Sequence, residues 1–143
     1  MAGDVLPDAD SPFGRRVRER LDTERVIWLT TVGADGTPQP NPVWFLWADG
    51  GFLIYNRPDA KRLDHVLDRP QAALHFNSDD GGGDITVFRG LARPIDTQPA
   101  AHENPAYLAK YGDAMQRISG SVEKFGETYS RVLQVRVNGV RGF

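Results

Sequence analysis

Cysteine is absent from the 143 residues, which excludes disulfides, thiolate metal centres and a cysteine nucleophile. A chain of this kind suits a reducing compartment, and the cytoplasm is its expected location. Long apolar runs are also missing: the uncharged apolar run Val26 to Val32 falls far short of the ~20 residues that span a membrane. The segment from Met1 to Arg20 is too polar for an export signal. Neither charge dominates, with 17 basic against 19 acidic side chains and a net charge of -2. No broad positive field is available for nucleic acid, so any anionic ligand has to be met by a local patch.

Catalytic signatures are scarce as well. His65, His75 and His102 lack metal-ligand spacing, so no metal site is expected. Ser11, Ser78, Ser119, Ser121 and Ser130 lie in no nucleophile elbow. The run Gly81-Gly82-Gly83 has neither the strand-to-helix context of a dinucleotide fingerprint nor the lysine of a phosphate loop.

The length fits one domain, here 11–143 after a loose, Pro- and Asp-rich leader over 1–10. Ser11 and Pro12 predict a helix start, with Phe13, Val17 and Leu21 on its apolar face and Arg15, Arg16, Arg18 and Arg20 on a solvated one. Strand chemistry follows over Val26–Val32, Gln39–Trp47 and Phe52–Asn56, broken by turns at Gly33–Gly36 and Asp49–Gly51. Pro38, Pro40 and Pro42 cannot donate ladder hydrogen bonds, so the start of the second strand lies at an edge or leaves the sheet.

A helix capped by Asp59 is expected over Ala60–Asp68, with Leu63, Val66 and Leu67 on one face. Strands over Ala72–Asn77 and Ile85–Ile95 come next, the second bulged at Gly90. Helical pieces follow between Thr97 and Ser130, starting at Asn104-Pro105 and Asp113 and stopping at Gly112 and Gly120. The last strand is Arg131–Val140. Six strands with few helices predict a mainly β, six-stranded antiparallel barrel with flanking helices.

The most informative stretch runs from Ile54 to Arg62, where a strand enters a helix. Lys61 and Arg62 oppose the helix dipole there, which an anion would reverse. Free backbone N–H groups with Arg57 and Lys61 form a candidate phosphate cradle; the alternatives are that both side chains extend into solvent or that Asp59 satisfies one of them as a salt bridge. The second stretch is Gln39 to Phe45, whose Asn41 and Gln39 amides are suited to the edge of a planar heterocycle. Trp44 there is either a stacking platform or plain core.

The segments Trp28–Pro40, Pro42–Phe45, Tyr55–Lys61 and Asp68–Pro70 together resemble the pyridoxamine-phosphate-oxidase-like split β-barrel superfamily of flavin and deazaflavin proteins, and within it the branch that uses coenzyme F420. The resemblance implies that Arg57, Ala60 and Lys61 bind the cofactor phosphate. It implies that Pro40, Asn41, Pro42, Val43, Tyr55 and Asn56 border the ring. It also implies a homodimer with two cofactor sites at the interface, for which Trp28 and the Asp79–Gly83 loop are candidate partner contributions. No basic C-terminal extension follows Phe143, so vitamin B6 oxidation is disfavoured.

The expected activity is hydride transfer between F420 and a small unsaturated or quinone-like substrate, with no side chain nominated as catalytic. FMN is the alternative cofactor. A non-catalytic flavin- or haem-binding module is the alternative class, with His75 the histidine to test as a haem ligand.

Overall fold

The structure is a computed structural model that describes residues 5–143. Its elements in order are α1 (Pro12–Thr23), β1 (Ile27–Val32), β2 (Pro38–Val43), β3 (Leu46–Ala48), β4 (Gly51–Asn56), α2 (Lys61–Asp68), β5 (Gln71–His75), β6 (Thr86–Ile95), a short 3-10 turn (Ala101–Glu103), α3 (Pro105–Ser119), α4 (Val122–Thr128) and β7 (Arg131–Gly142). All strand pairs are antiparallel, in the order β2-β1-β5-β6-β7-β4-β3. The two end strands of that order, β2 and β3, are joined by Trp44 and Phe45 alone. A link so short holds them within about 10 Å, and the sheet therefore curls into the predicted split barrel.

The strand count is seven rather than six, because Gln39–Trp47 is two strands. The break has a clear cause. The Phe45 N–H donates to the Tyr111 hydroxyl (3.0 Å), and the Phe45 carbonyl accepts from Lys110 Nζ (3.0 Å). Both backbone groups are thus satisfied by α3, leaving none for a neighbouring strand. The Tyr111 hydroxyl reaches on to the Arg25 carbonyl at 2.7 Å.

Two cores share β4. Phe52 and Ile54 face the barrel interior with Ile27, Leu29, Phe45, Leu74, Phe88 and Leu133, whereas Leu53 and Tyr55 face a second cluster with Tyr107, Tyr111, Met115 and Phe125. Successive strand residues point to opposite faces, so all six residues of β4 are buried. The Asp49-Gly50 hairpin that precedes it has positive φ at both positions, 54° and 76°, the geometry of a type I′ turn.

The bulge expected at Gly90 is present as a register shift between Arg89 and Gly90. A Cβ at Gly90 would lie 2.3 Å from the Arg136 carbonyl oxygen of β7. Gly90→Ala is therefore expected to destabilise the fold by about 1–3 kcal/mol, read from the urea midpoint; an unchanged midpoint would show that β6 and β7 separate freely there.

Other local expectations divide. Ser11 caps α1 through the Gly14 N–H (2.9 Å), and Asn104 caps α3 through the Ala106 and Tyr107 N–H groups. The basic side of α1 is not simply solvated. Arg20 bonds Glu24, the Asp84 carbonyl and the Asn77 carbonyl and lies over the Phe76 ring, and Arg16 pairs with Asp84. These contacts tie α1 to the β5–β6 connection. Val5 and Leu6 pack against the main core, while Met1–Asp4 lie outside the described residues. No helix among the described residues is long and apolar enough to cross a membrane.

Candidate functional site

A groove runs along the face where β2, β4, α2 and α4 meet. Its inner part, about 250 Å³, is lined by Pro42, Val43, Trp44, Tyr55, Arg62 and Tyr129, with Tyr107, Ile118 and Phe125 behind them. Its outer part, about 210 Å³, is lined by Tyr55, Asn56, Arg57, Asp59, Ala60, Arg62 and Tyr129. Tyr55, Arg62 and Tyr129 belong to both parts and make the groove continuous.

Of the residues proposed from sequence, Pro42, Val43, Tyr55, Asn56, Arg57 and Ala60 line this groove. Pro40, Asn41 and Lys61 do not; they are exposed beside it, on β2 and on the first turn of α2. Two polar groups in the groove are already engaged. The Tyr55 hydroxyl donates to the Pro99 carbonyl (2.7 Å) and accepts from the Asn104 amide (3.2 Å), and burial raises its pKa. The Asn56 amide is buried and donates to the Ile54 and Arg131 carbonyls at 2.8 and 3.1 Å. Asn56 therefore serves as a brace between β4 and β7, and its remaining Oδ1 accepts from Arg62 at 2.7 Å.

Arg62 is the residue that the sequence reading left out of the site. Its guanidinium is half-buried, and desolvation lowers its pKa. Among the described residues no carboxylate pairs with it. A half-buried cation whose hydrogen-bond partner is a neutral amide keeps part of its desolvation cost. An anion in the groove would relieve it.

The cap of α2 adds to this. Asp59 was expected to cap the helix, but Ala60 occupies the cap position and no side chain accepts from the first turn. The Asp59 carboxylate instead meets Arg57 at 3.5 Å, and both side chains are largely exposed. The first N–H groups of α2 remain available to an outside acceptor, at the end of the helix where the dipole favours negative charge. Leu67, expected on the buried face, is 68% exposed, while Leu63 and Val66 are buried.

The inner wall is aromatic and rigid. Trp44 stacks on Tyr111 (4.5 Å between centroids) and on Phe125 (5.4 Å), and Phe125 stacks on Tyr129 (4.4 Å). Trp44 is thus part of the second core as well as a wall. The α4 side chains were not legible as site residues, because nothing local in Val122–Tyr129 points toward Pro42 or Arg62. Among the described residues no cluster of histidine and carboxylate side chains could hold a metal ion.

A family model described as pyridoxamine 5'-phosphate oxidase matches residues 13–142. No curated protein matches the chain in sequence. Among solved structures, a conserved hypothetical protein from Mycobacterium tuberculosis superposes with a TM-score of 0.69 at 15% identity, over 99% of this chain and 87% of that one. The heme storage protein HutZ of Vibrio cholerae gives 0.62 at 13% identity, over 90% and 92%. An F420 reductase gives 0.60 at 20% identity, over 87% and 94%. At these identities the likeness establishes a shared fold.

Proposed function

The chain belongs to the pyridoxamine 5'-phosphate oxidase family, and on that premise we propose that it is an oxidoreductase that holds coenzyme F420 in the groove between Pro42 and Ala60 and serves a small unsaturated or quinone-like substrate. The observation that carries this reading is Arg62, a half-buried cation with no carboxylate partner among the described residues, set beside the uncapped first turn of α2. Such a pair fits a phosphate. Planar guanidinium donors match phosphate oxygens, and the helix N–H groups add neutral donors from the same side. Arg57 and Lys61, exposed at the rim, contribute field and further donors.

Pro42, Val43 and Tyr55 supply the apolar border for a ring, with Pro40 and Asn41 on the exposed strand beyond them. When bound, the deazaflavin supplies the hydride chemistry itself. The residues of this chain anchor the phosphate, orient the ring and exclude water, and no side chain acts as acid or base. FMN presents the same phosphate and is the alternative cofactor.

The reading includes a homodimer. Register places Pro42, Trp28, His75 and Val87 in one row across the outer face of the sheet, and Leu91, on the same face, is 48% exposed. A second copy laid on this face would cover it and close the open side of β2.

A haem-binding reading rests on a different observation. His75 Nδ1 lies 3.1 Å from the Phe76 carbonyl oxygen, an arrangement that makes Nδ1 the donor and leaves Nε2 free to ligate. Trp28, however, stacks on the ring at 6.4 Å and restricts access.

The decisive assay is anaerobic oxidation of reduced F420 by menadione or cyclohexenone. Protein-dependent oxidation is expected. No turnover with either cofactor, together with a Soret band on adding haemin that His75→Ala removes, would replace the oxidoreductase reading by haem binding.

A further inference from the structure

A second cavity, larger than this groove, lies elsewhere in the molecule. It measures about 820 Å³, opens between α1, β3 and α3, and shares no lining residue with either part of the groove. Leu21, Leu46 and Trp47 give it an apolar wall, and Arg18, Arg25 and Lys110 line it as cations beside the carboxylate of Asp22.

Lys110 and Arg25 are held in place by backbone and ring contacts rather than by ion pairs. Lys110 Nζ donates to the Phe45 carbonyl and sits 3.6 Å from the centroid of the Phe45 ring. One of its three N–H donors is thereby used. The Arg25 guanidinium lies 5.1 Å over Tyr111, the same ring that Lys110 approaches at 5.1 Å. Among the described residues neither side chain forms an ion pair. Two like charges converge on one aromatic ring beside a cavity, with ammonium donors to spare. Asp22 and Glu24 lie close enough to act on Lys110 but form no ion pair with it, so the fixed cations keep donors that an anion completes.

We infer that this cavity is a second ligand site, which takes a small organic carboxylate whose charge meets Lys110 and Arg25 and whose apolar body lies against Leu21, Leu46 and Trp47. The assignment is independent of the cofactor reading, since it uses none of the groove residues and is tested without cofactor.

Burial, reinforced by Arg25, lowers the Lys110 pKa to about 8. The other charged groups facing this space are Arg18 and Asp22 of α1, Glu24 after it and Arg25, together with the Tyr111 phenol, which burial pushes up to about 12. Between about pH 7 and 9 carboxylates and guanidinium groups hold their charge. Lys110 is then the group that titrates, so carboxylate affinity falls as pH rises through about 8.

The test is an amide NMR titration of the full chain with benzoate, using benzyl alcohol as the uncharged control. Saturable shifts are expected at amides 21–25, 46–50 and 106–110, weakening from pH 7 to pH 9. Lys110→Met, which keeps the buried stem, is expected to lose at least tenfold in benzoate affinity. Arg25→Gln, at an exposed position, does the same and keeps the test intact should the first variant unfold. Absent shifts at those amides, equal binding of benzyl alcohol, or unchanged affinity in a folded variant would overturn the assignment.

Discussion

Arg62→Ala is expected to weaken binding of F420 or FMN by about 10- to 150-fold, since a hydrogen bond to a charged group is worth about 1.5–3 kcal/mol. The loss follows from where Arg62 sits. Its guanidinium is half-buried in both parts of the groove and is steered by the Asn56 amide, which Ile54 and Arg131 hold in turn. A cation oriented before the ligand arrives loses little entropy on binding. Arg57 and Lys61 are exposed, and Arg57 is shared with Asp59. Their double alanine variant is therefore expected to lose affinity as well, but with a steeper dependence on salt, because exposed charges are screened. Unchanged affinity for Arg62→Ala at unchanged far-UV circular dichroism would remove Arg62 from the site and return the phosphate to the rim.

The largest effect on stability is expected at Phe52. Phe52→Ala is predicted to destabilise the fold by about 3–5 kcal/mol. The ring is fully buried and packs edge-on against Phe45, Trp47 and Phe88, with centroids 5.5, 5.0 and 5.1 Å away. Few side chains bridge as much of the barrel, since these partners come from the β2–β3 link, β3 and β6. Collapse of the cavity is hindered because β4 is packed on both faces. Urea denaturation measures the change, and a loss below about 1 kcal/mol would mean that the barrel repacks around the gap.

Local signals made much of the fold legible. The Ser11 and Asn104 caps, the Asp49-Gly50 hairpin and the buried alternation of Leu133, Val135 and Val137 follow from neighbours within a few residues, and the Gly90 bulge was marked by a glycine inside a strand pattern. What failed was set at long range. Gly112 was expected to end a helix, yet α3 runs through it to Ser119. Tyr107, Tyr111, Ala114 and Met115 form one continuous buried stripe, and their burial outweighs the ~1 kcal/mol that a helical glycine costs. The seventh strand came from the same helix, through the grip of Tyr111 and Lys110 on Phe45 some sixty-five residues earlier.

The candidate groove was legible in outline for similar reasons, since Pro42, Val43, Tyr55, Asn56, Arg57 and Ala60 line it. The strand-to-helix step at Asn56–Lys61 marked the position where an anion was expected. It did not show which cation faces inward. Arg62 and Lys61 are adjacent and equally basic, and only packing of α2 on the barrel turns one toward Asn56 and the other to solvent. Phe125 comes from α4 and Tyr129 from its C-terminal cap, which no local pattern links to Pro42.

The central claim is that the groove from Pro42 to Ala60 takes a phosphorylated flavin-type cofactor. Paired fluorescence-quench titrations of the wild-type protein with F420 and with FMN, at one ionic strength, test it most directly. The account predicts saturable binding at one site per chain, tighter for the deazaflavin and weakened by Arg62→Ala. Failure of both cofactors to bind the folded protein would contradict it.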